Sequence, residues 1–364
     1  MRLTTLACGI LLVVSGCVST AYDPGAGGGN GTGTGAGNGT GGGNGAGNGG
    51  GGAGAGGGGG GGGAVNGTAK TGAIAADETW SGAIDVTGDV TVNTGVTLTV
   101  AEGALVQVAA GKAILVNGTI KVTGSAAMPV SFKPVQMGTT WNGIEIHAGG
   151  SGNIVYADFA SPTTGFTCAT GAAACVADHV KVHDYSAIGI SVSSAATLSY
   201  LTVEKGGSGG LFINAGTADT VKVTDSLFHL TGGDAVIGDG GNLTLQYSKA
   251  YGDGGATPGV HCACHFASTG TMLIDHNDFN GSTYGFMAGG MNATSKVNNN
   301  NFTGDANAYG TSGANVNAMA DLSQNYWGGA TSPVIGGNTT NQKNAQGLPA
   351  NAFFAAPVAG TGPR

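Results

Sequence analysis

The chain has 364 residues, of which 75 are glycine, and only 9% carry charge, with a formal net charge of -8. So sparse and negative a charge excludes partners bound by neutralising a run of phosphates, and no nucleic acid is expected as a ligand. Arginine occurs only as Arg2 and Arg364, so the body of the sequence lacks the rigid cationic fork that grips carboxylates and phosphates.

Met1 and Arg2 open the chain with positive charge, and Leu3 to Val14 form an apolar run of secretory-signal length, too short for a permanent membrane span. The run ends in Val14-Ser15-Gly16-Cys17, which resembles the bacterial lipobox. The resemblance implies a signal peptide over residues 1–16, removed so that Cys17 becomes the new N-terminus. It also implies a thioether-linked diacylglycerol on the Cys17 thiol and a further acyl chain, such as palmitate, on the freed amine. Several acyl chains together give stable anchoring, so the membrane is an expected partner through the lipid. Val18 follows the cysteine in place of Asp, which by the same resemblance implies sorting to the outer membrane.

Residues 17–70 read as a lipidated cysteine and a tether. From Gly25 to Gly63 the chain is almost entirely Gly, Ala, Asn and Thr, with no apolar period, so it cannot bury a core and is expected to be disordered. Some forty residues of such a coil should wander roughly 35 Å.

The folded body is expected over residues 71–364, and alternation appears at once in Val86 to Val92 and Val96 to Val100. Short runs follow at Ala104 to Val108, Ala113 to Val116, Thr119 to Val122 and Pro129 to Phe132, separated by Gly, Asn, Ser or Pro turns. No segment has the pattern of an amphipathic helix.

A repeat then takes over. One six-residue pattern ends on an apolar or aromatic residue at Phe159, Val182, Val203, Phe228, Ala250, Phe279, Phe302 and Trp327, with steps averaging about 24 residues. A second pattern, a small residue then an apolar one, runs in phase with it from Gly143-Ile144 to Ala308-Tyr309. Two strands recurring at one period predict coils that stack and bury a continuous core, an all-β right-handed parallel β-helix of about 24 residues per coil.

Stacking places equivalent positions in columns about 4.8 Å apart. The fourth position of the first pattern reads Ala157, Val180, Leu201, Ser226, Ser248, Asn277, Asn300, Asn325. Asn277, Asn300 and Asn325 are expected to form an asparagine ladder at a bend, each amide bonding to the next coil. The fifth position predicts surface ion pairs between Asp158 and Lys181 and between Lys249 and Asp278.

On Trp141-Asn142-Gly143-Ile144, Val155-Tyr156-Ala157-Asp158-Phe159, and Asn325-Tyr326-Trp327-Gly328 with Ser332-Pro333, the sequence resembles the pectin-lyase-like right-handed parallel β-helix proteins of bacterial surfaces, over about Thr71 to Pro333. The resemblance implies the fold far more than an activity, because the same helix carries lyases, hydrolases, epimerases and adhesins.

The lyases and hydrolases of that group use acidic calcium ligands with a basic residue, or clustered aspartates. Here alternation gives the second strand an outward column of Glu145, Thr167, Ser191, Phe212, Val236, His261, Met287 and Gly310, with one carboxylate among them. Glycoside hydrolysis needs two carboxyl groups at a defined separation. Asp178-His179 with His183-Asp184 has the residue types of an acid–base or metal site, and Asp234, Asp239 and Asp253 those of a calcium site. Both read more simply as turns and ladder positions.

His261-Cys262-Ala263-Cys264-His265 concentrates zinc-type ligands, but strand alternation sends the cysteines and histidines to opposite faces unless the segment bulges. Cys262 and Cys264 are left as an apolar core pair or a local disulfide. Cys168 and Cys175 bracket a short loop in an exported chain and are expected to be disulfide-bonded. No catalytic residue, metal site or cofactor is assigned. The expected function is binding or structure at the cell surface, through weak contact with polysaccharide; the alternative is a polysaccharide lyase or glycoside hydrolase.

Overall fold

A computed structural model describes residues 67–230, 232–252, 260–266, 270–282, 284–288, 294–303, 307–311, 325 and 335–336. The signal segment, Cys17 and the glycine-rich stretch lie outside the described residues. Every regular element among the described residues is a strand, and they wind into a right-handed parallel β-helix of about nine turns with about 23 residues per turn. The average falls below 24 because the first coils are short: Thr68 pairs with Ile84, only one small turn later.

Each full coil supplies strands to three parallel sheets. Sheet 1 contains Ala113–Val116, Gly143–Ile146, Thr164–Cys168, Ile188–Val192 and Gly209–Asn214 in succession. Sheet 2 contains Thr97–Ala101, Thr119–Thr123, the first half of Ser151–Ala160, and later Ala196–Ser199 and Thr220–Thr224. Sheet 3 contains Leu105–Val108, Val130–Pro134, Thr202–Glu204 and Leu227–Leu230. Val, Ile and Thr dominate because a β-branched side chain suits a pleated surface with one face buried and one wet.

The six-residue pattern is two strands joined by a sharp bend. Its third position, Tyr156, His179, Tyr200, Asp225, Tyr247, His276 and Asn299, is left-handed in every coil, with φ between 48° and 57°. This conformation costs an ordinary residue about 1–2 kcal/mol, so something must hold the bend. From Leu201 onward the fourth position helps to do so, its N–H taken by a side-chain oxygen of the following coil, whereas the bends at Tyr156 and His179 form with the aliphatic Val180 and Leu201 next in the column. Leu201 N–H donates to Ser226 Oγ (3.1 Å), Ser226 N–H to Ser248 Oγ (3.2 Å) and Ser248 N–H to Asn277 Oδ1 (2.9 Å). Asn277 N–H then donates to Asn300 Oδ1 and Asn300 N–H to Asn325 Oδ1, each at 2.9 Å. The ladder therefore starts two coils before its first asparagine, with serine hydroxyls as acceptors.

The core follows the apolar columns. It includes an aromatic stack in which Phe159 lies 4.9 Å from Phe132, 6.0 Å from Trp141 and 6.3 Å from Phe166, ring centre to ring centre. All four are fully buried, and Trp141 Nε1–H donates to Ala160 O at 3.0 Å. Cys168 and Cys175 form a disulfide with Cα atoms 6.3 Å apart, closing the turn between sheets 1 and 2. At another corner Tyr185 lies flat over Gly206, where any Cβ would overlap its ring.

Candidate functional site

Outward positions in sheet 2 form a regular surface that runs through successive coils. One column runs Thr79, Thr99, Lys121, Asn153, Val176, Thr197, Lys222, Thr244, Leu273 and Lys296, in register from coil to coil. Beside it, Ala101, Thr123, Val155, Asp178, Ser199, Thr224, Gln246, Asp275 and the buried Asn298 share a second column. Lys121, Lys222 and Lys296 are exposed and have no ion-pair partner among the described residues. Hydroxyl, amide, carboxylate and ammonium groups thus recur along this face at multiples of the rung spacing, about 4.8 Å, interrupted by Val155, Val176 and Leu273.

The edge of this face is the left-handed bend. There the rings of Tyr156, His179 and Tyr200 stack at 4.3 and 4.4 Å. His179 has both faces covered by its neighbours and offers mainly its edge to solvent, whereas Tyr200 is half exposed. Asp178 joins two partners: Ser199 Oγ–H donates to one oxygen at 2.6 Å, and His179 Nδ1 lies 2.9 Å from the other. The carboxylate sits in the middle and the imidazole does not touch the hydroxyl, so this is no serine-activating relay, which requires histidine between the two. Burial pushes the Asp178 pKa up, but the Ser199 and His179 hydrogen bonds outweigh it and hold the carboxyl below its usual range. Asp275 repeats the arrangement with His276, Gln246 and Asn299.

Sheet 3 carries the densest charge. His183 places Nε2 3.2 Å from Asp158 of the preceding coil and Nδ1 2.6 Å from Asp184. Lys181 bonds to Glu204 of the following coil at 2.9 Å. The expected Asp158–Lys181 pair is therefore replaced: the two residues are in register, but Asp158 is taken by His183 and the long lysine reaches onward to Glu204. Lys249 and Asp278 do pair, at 3.3 Å. The two Asp–His pairs singled out in the sequence do not meet as one site, because His179 lies at the bend while His183 lies beyond it on sheet 3.

The Asp158 hydrogen bond raises the His183 pKa, burial opposes it, and Asp184 adds to the rise. A histidine with a raised folded pKa contributes stability that is full below its unfolded value of about 6.5 and fades as pH climbs through the folded value. The stability gap between wild type and His183→Gln is therefore expected to be widest near about pH 5.5, at about 1 kcal/mol for a partly exposed pair, and to close toward about pH 9. Urea unfolding across that range measures it, and a gap that grows with pH contradicts the assignment.

The outward column of sheet 1 differs from the alternation count at two places. Phe212 pairs with Ile237, not Val236, and Ile237 pairs with His265, not His261; Val236 is fully buried. Gly233 faces Val260 while Asp234 faces Cys262, so the ladder skips His261 and simple alternation fails there. Cys264 holds the register position of the buried residues Val236 and Phe286. The side chains of residues 260–266 and all of Asp253 lie outside the described residues. Elsewhere among the described residues, no three His, Cys, Asp or Glu side chains converge as a metal site would require.

The fold and these faces define a parallel β-solenoid protein. No protein-family model, curated protein or solved structure gives a significant match to the chain.

Proposed function

We propose that this is a surface-displayed lipoprotein, held in the outer membrane through Cys17, whose β-helix makes weak multivalent contact with polysaccharide or another cell-surface glycan. The observation that carries the reading is the sheet 2 face, whose columns are mostly polar from Thr79 to Lys296. A repeating polymer meets such a face with many individually weak hydrogen bonds, and simultaneous engagement multiplies them. A fold of this kind is consistent with a binding or structural role.

A second reading, a polysaccharide-cleaving enzyme, is favoured by one feature, the Asp158, His183, Asp184 and Glu204 cluster on sheet 3. One experiment separates them: the purified protein is incubated with a panel of polysaccharides, and binding and product formation are assayed in the same samples. Binding without products is expected, and Asn153→Ala/Thr197→Ala/Lys222→Ala should weaken it at least about fivefold without changing the unfolding midpoint. Product formation lost in His183→Ala supports the enzyme instead. Absence of binding to every polymer removes the glycan reading.

A further inference from the structure

The bend at the edge of the sheet 2 face carries a column of rings that is broken at Asp225. From coil to coil it reads Tyr156, His179, Tyr200, Asp225, Tyr247, His276 and Asn299. Tyr156, His179 and Tyr200 stack at 4.3 and 4.4 Å, and ring contact resumes between Tyr247 and His276 at 5.3 Å. On the rung after Tyr200 the column therefore offers a carboxylate in place of a ring. Tyr200 is accordingly 50% exposed, the one exposed residue of a column otherwise half-buried. Its ring lies within 16° of parallel to His179, so one face is covered and the other is turned toward the Asp225 rung. Asp225 donates its backbone N–H to Gln246 O at 3.1 Å, but among the described residues no donor or cation reaches its carboxylate. Asp178 and Asp275, beside the same bend, are by contrast each held by a histidine and by a hydroxyl or amide. Thr224, next to Asp225, belongs to the second column of sheet 2, so the spot is continuous with the polar face.

We propose that Tyr200 and Asp225 form an amino-sugar subsite, which takes a protonated amino-hexose unit of a glycan. The inference rests on the glycan reading above and names the unit that this face binds most tightly. A pyranose presents a face of C–H groups that packs on an open aromatic ring, with its polar substituents at the rim. An ammonium at that rim is attracted both by the electron-rich face of Tyr200 and by the carboxylate beside it. A neutral sugar makes the ring contact but leaves Asp225 without a cation. A uronate meets Asp225, and a chain of net charge -8, as a like charge.

The test is calorimetric titration of the full chain with a glucosamine hexamer, its fully N-acetylated counterpart and hexalysine, in mildly acidic buffer where the amines are protonated. Wild type should bind the glucosamine hexamer at least about tenfold tighter than either of the others. Asp225→Asn should abolish the preference for the amine, and Tyr200→Asn should weaken both sugar hexamers at least about fivefold, whereas Tyr200→Phe binds as wild type does. Asparagine tolerates the left-handed bend at either position, and unchanged circular dichroism shows that the fold is kept. Should Tyr200→Asn lose its strand signal, Asp225→Asn alone decides. Equal binding of the two sugar hexamers by wild type overturns the proposal. So does an amine preference that survives in Asp225→Asn, a folded Tyr200→Asn that binds as wild type does, or hexalysine bound as tightly as the glucosamine hexamer. Glycan binding that is lost in Asn153→Ala/Thr197→Ala/Lys222→Ala but indifferent to Tyr200 and Asp225 removes this subsite and leaves the broader reading standing. Absence of binding to any glycan removes both.

Discussion

Asn300→Ala is expected to cost about 3–4 kcal/mol, a large loss for one polar side chain, because each group it leaves behind is buried. Its Oδ1 accepts from Asn277 N–H at 2.9 Å and Asn277 Nδ2 at 3.0 Å. Its Nδ2 donates to Ile274 O and Asn298 O at 2.9 Å and lies 3.1 Å from Asn325 Oδ1. Truncation strands donors and acceptors in a place water does not reach. Asn300→Asp sharpens the test, since a carboxylate keeps the acceptors, loses the donors and buries a charge. At neutral pH it should be at least as damaging as alanine, and acidification should recover part of the loss. Denaturant unfolding of both variants measures this, and a loss below about 1 kcal/mol for alanine would mean that the bend does not depend on the ladder.

Phe159→Ala should be costlier still, about 3–5 kcal/mol, since it opens a cavity at the centre of the stack formed with Phe132, Trp141 and Phe166. Neighbouring rings cannot collapse into the space, because each is held by the strand of its own coil. Phe159→Leu keeps most of the volume and should lose less than about 1.5 kcal/mol. Thermal melts of the pair give the contrast, and equal losses would show that the site is set by something other than filled volume.

The fold was legible where the chain repeats itself in kind. Val, Thr and Ile alternate from residue 86 onward, and three asparagines fall one coil apart, so strands and a ladder can both be read. Ser226 and Ser248 were missed as ladder acceptors because a hydroxyl and an amide look unrelated until their oxygens share a column. The left-handed bend was hidden because its residues include Tyr156, Tyr200 and Tyr247, a type not marked for that conformation. In sheet 1 the register slipped at Ile237 and His265 because glycines at 232, 233, 238, 240 and 241 blur the period just before a coil of irregular length. On sheet 3 the sequence marks Asp158, Lys181, His183 and Asp184 but not how they pair or that Glu204 joins them. Which carboxylate a long lysine reaches depends on what its nearer neighbour is already holding, and the His183–Asp158 contact settles that only in three dimensions.

The fourth column changes character along the rod, from Val180 and Leu201 through Ser226 and Ser248 to Asn277 and Asn300, and this grading bears on how such a chain can change length. Asn277 and Asn300 are 23 residues apart and play identical parts, each receiving a bond from the coil before and giving its own N–H to the coil after. A tandem copy of residues 277–299 would find both neighbours already complementary and would extend the rod by one rung, about 4.8 Å. The same gene duplication between Leu201 and Ser226 would interpose an aliphatic residue that offers no oxygen to Leu201. The asparagine half can thus lengthen without losing a ladder bond, whereas the aliphatic half, where Ala157, Val180 and Leu201 already follow one another, would gain none.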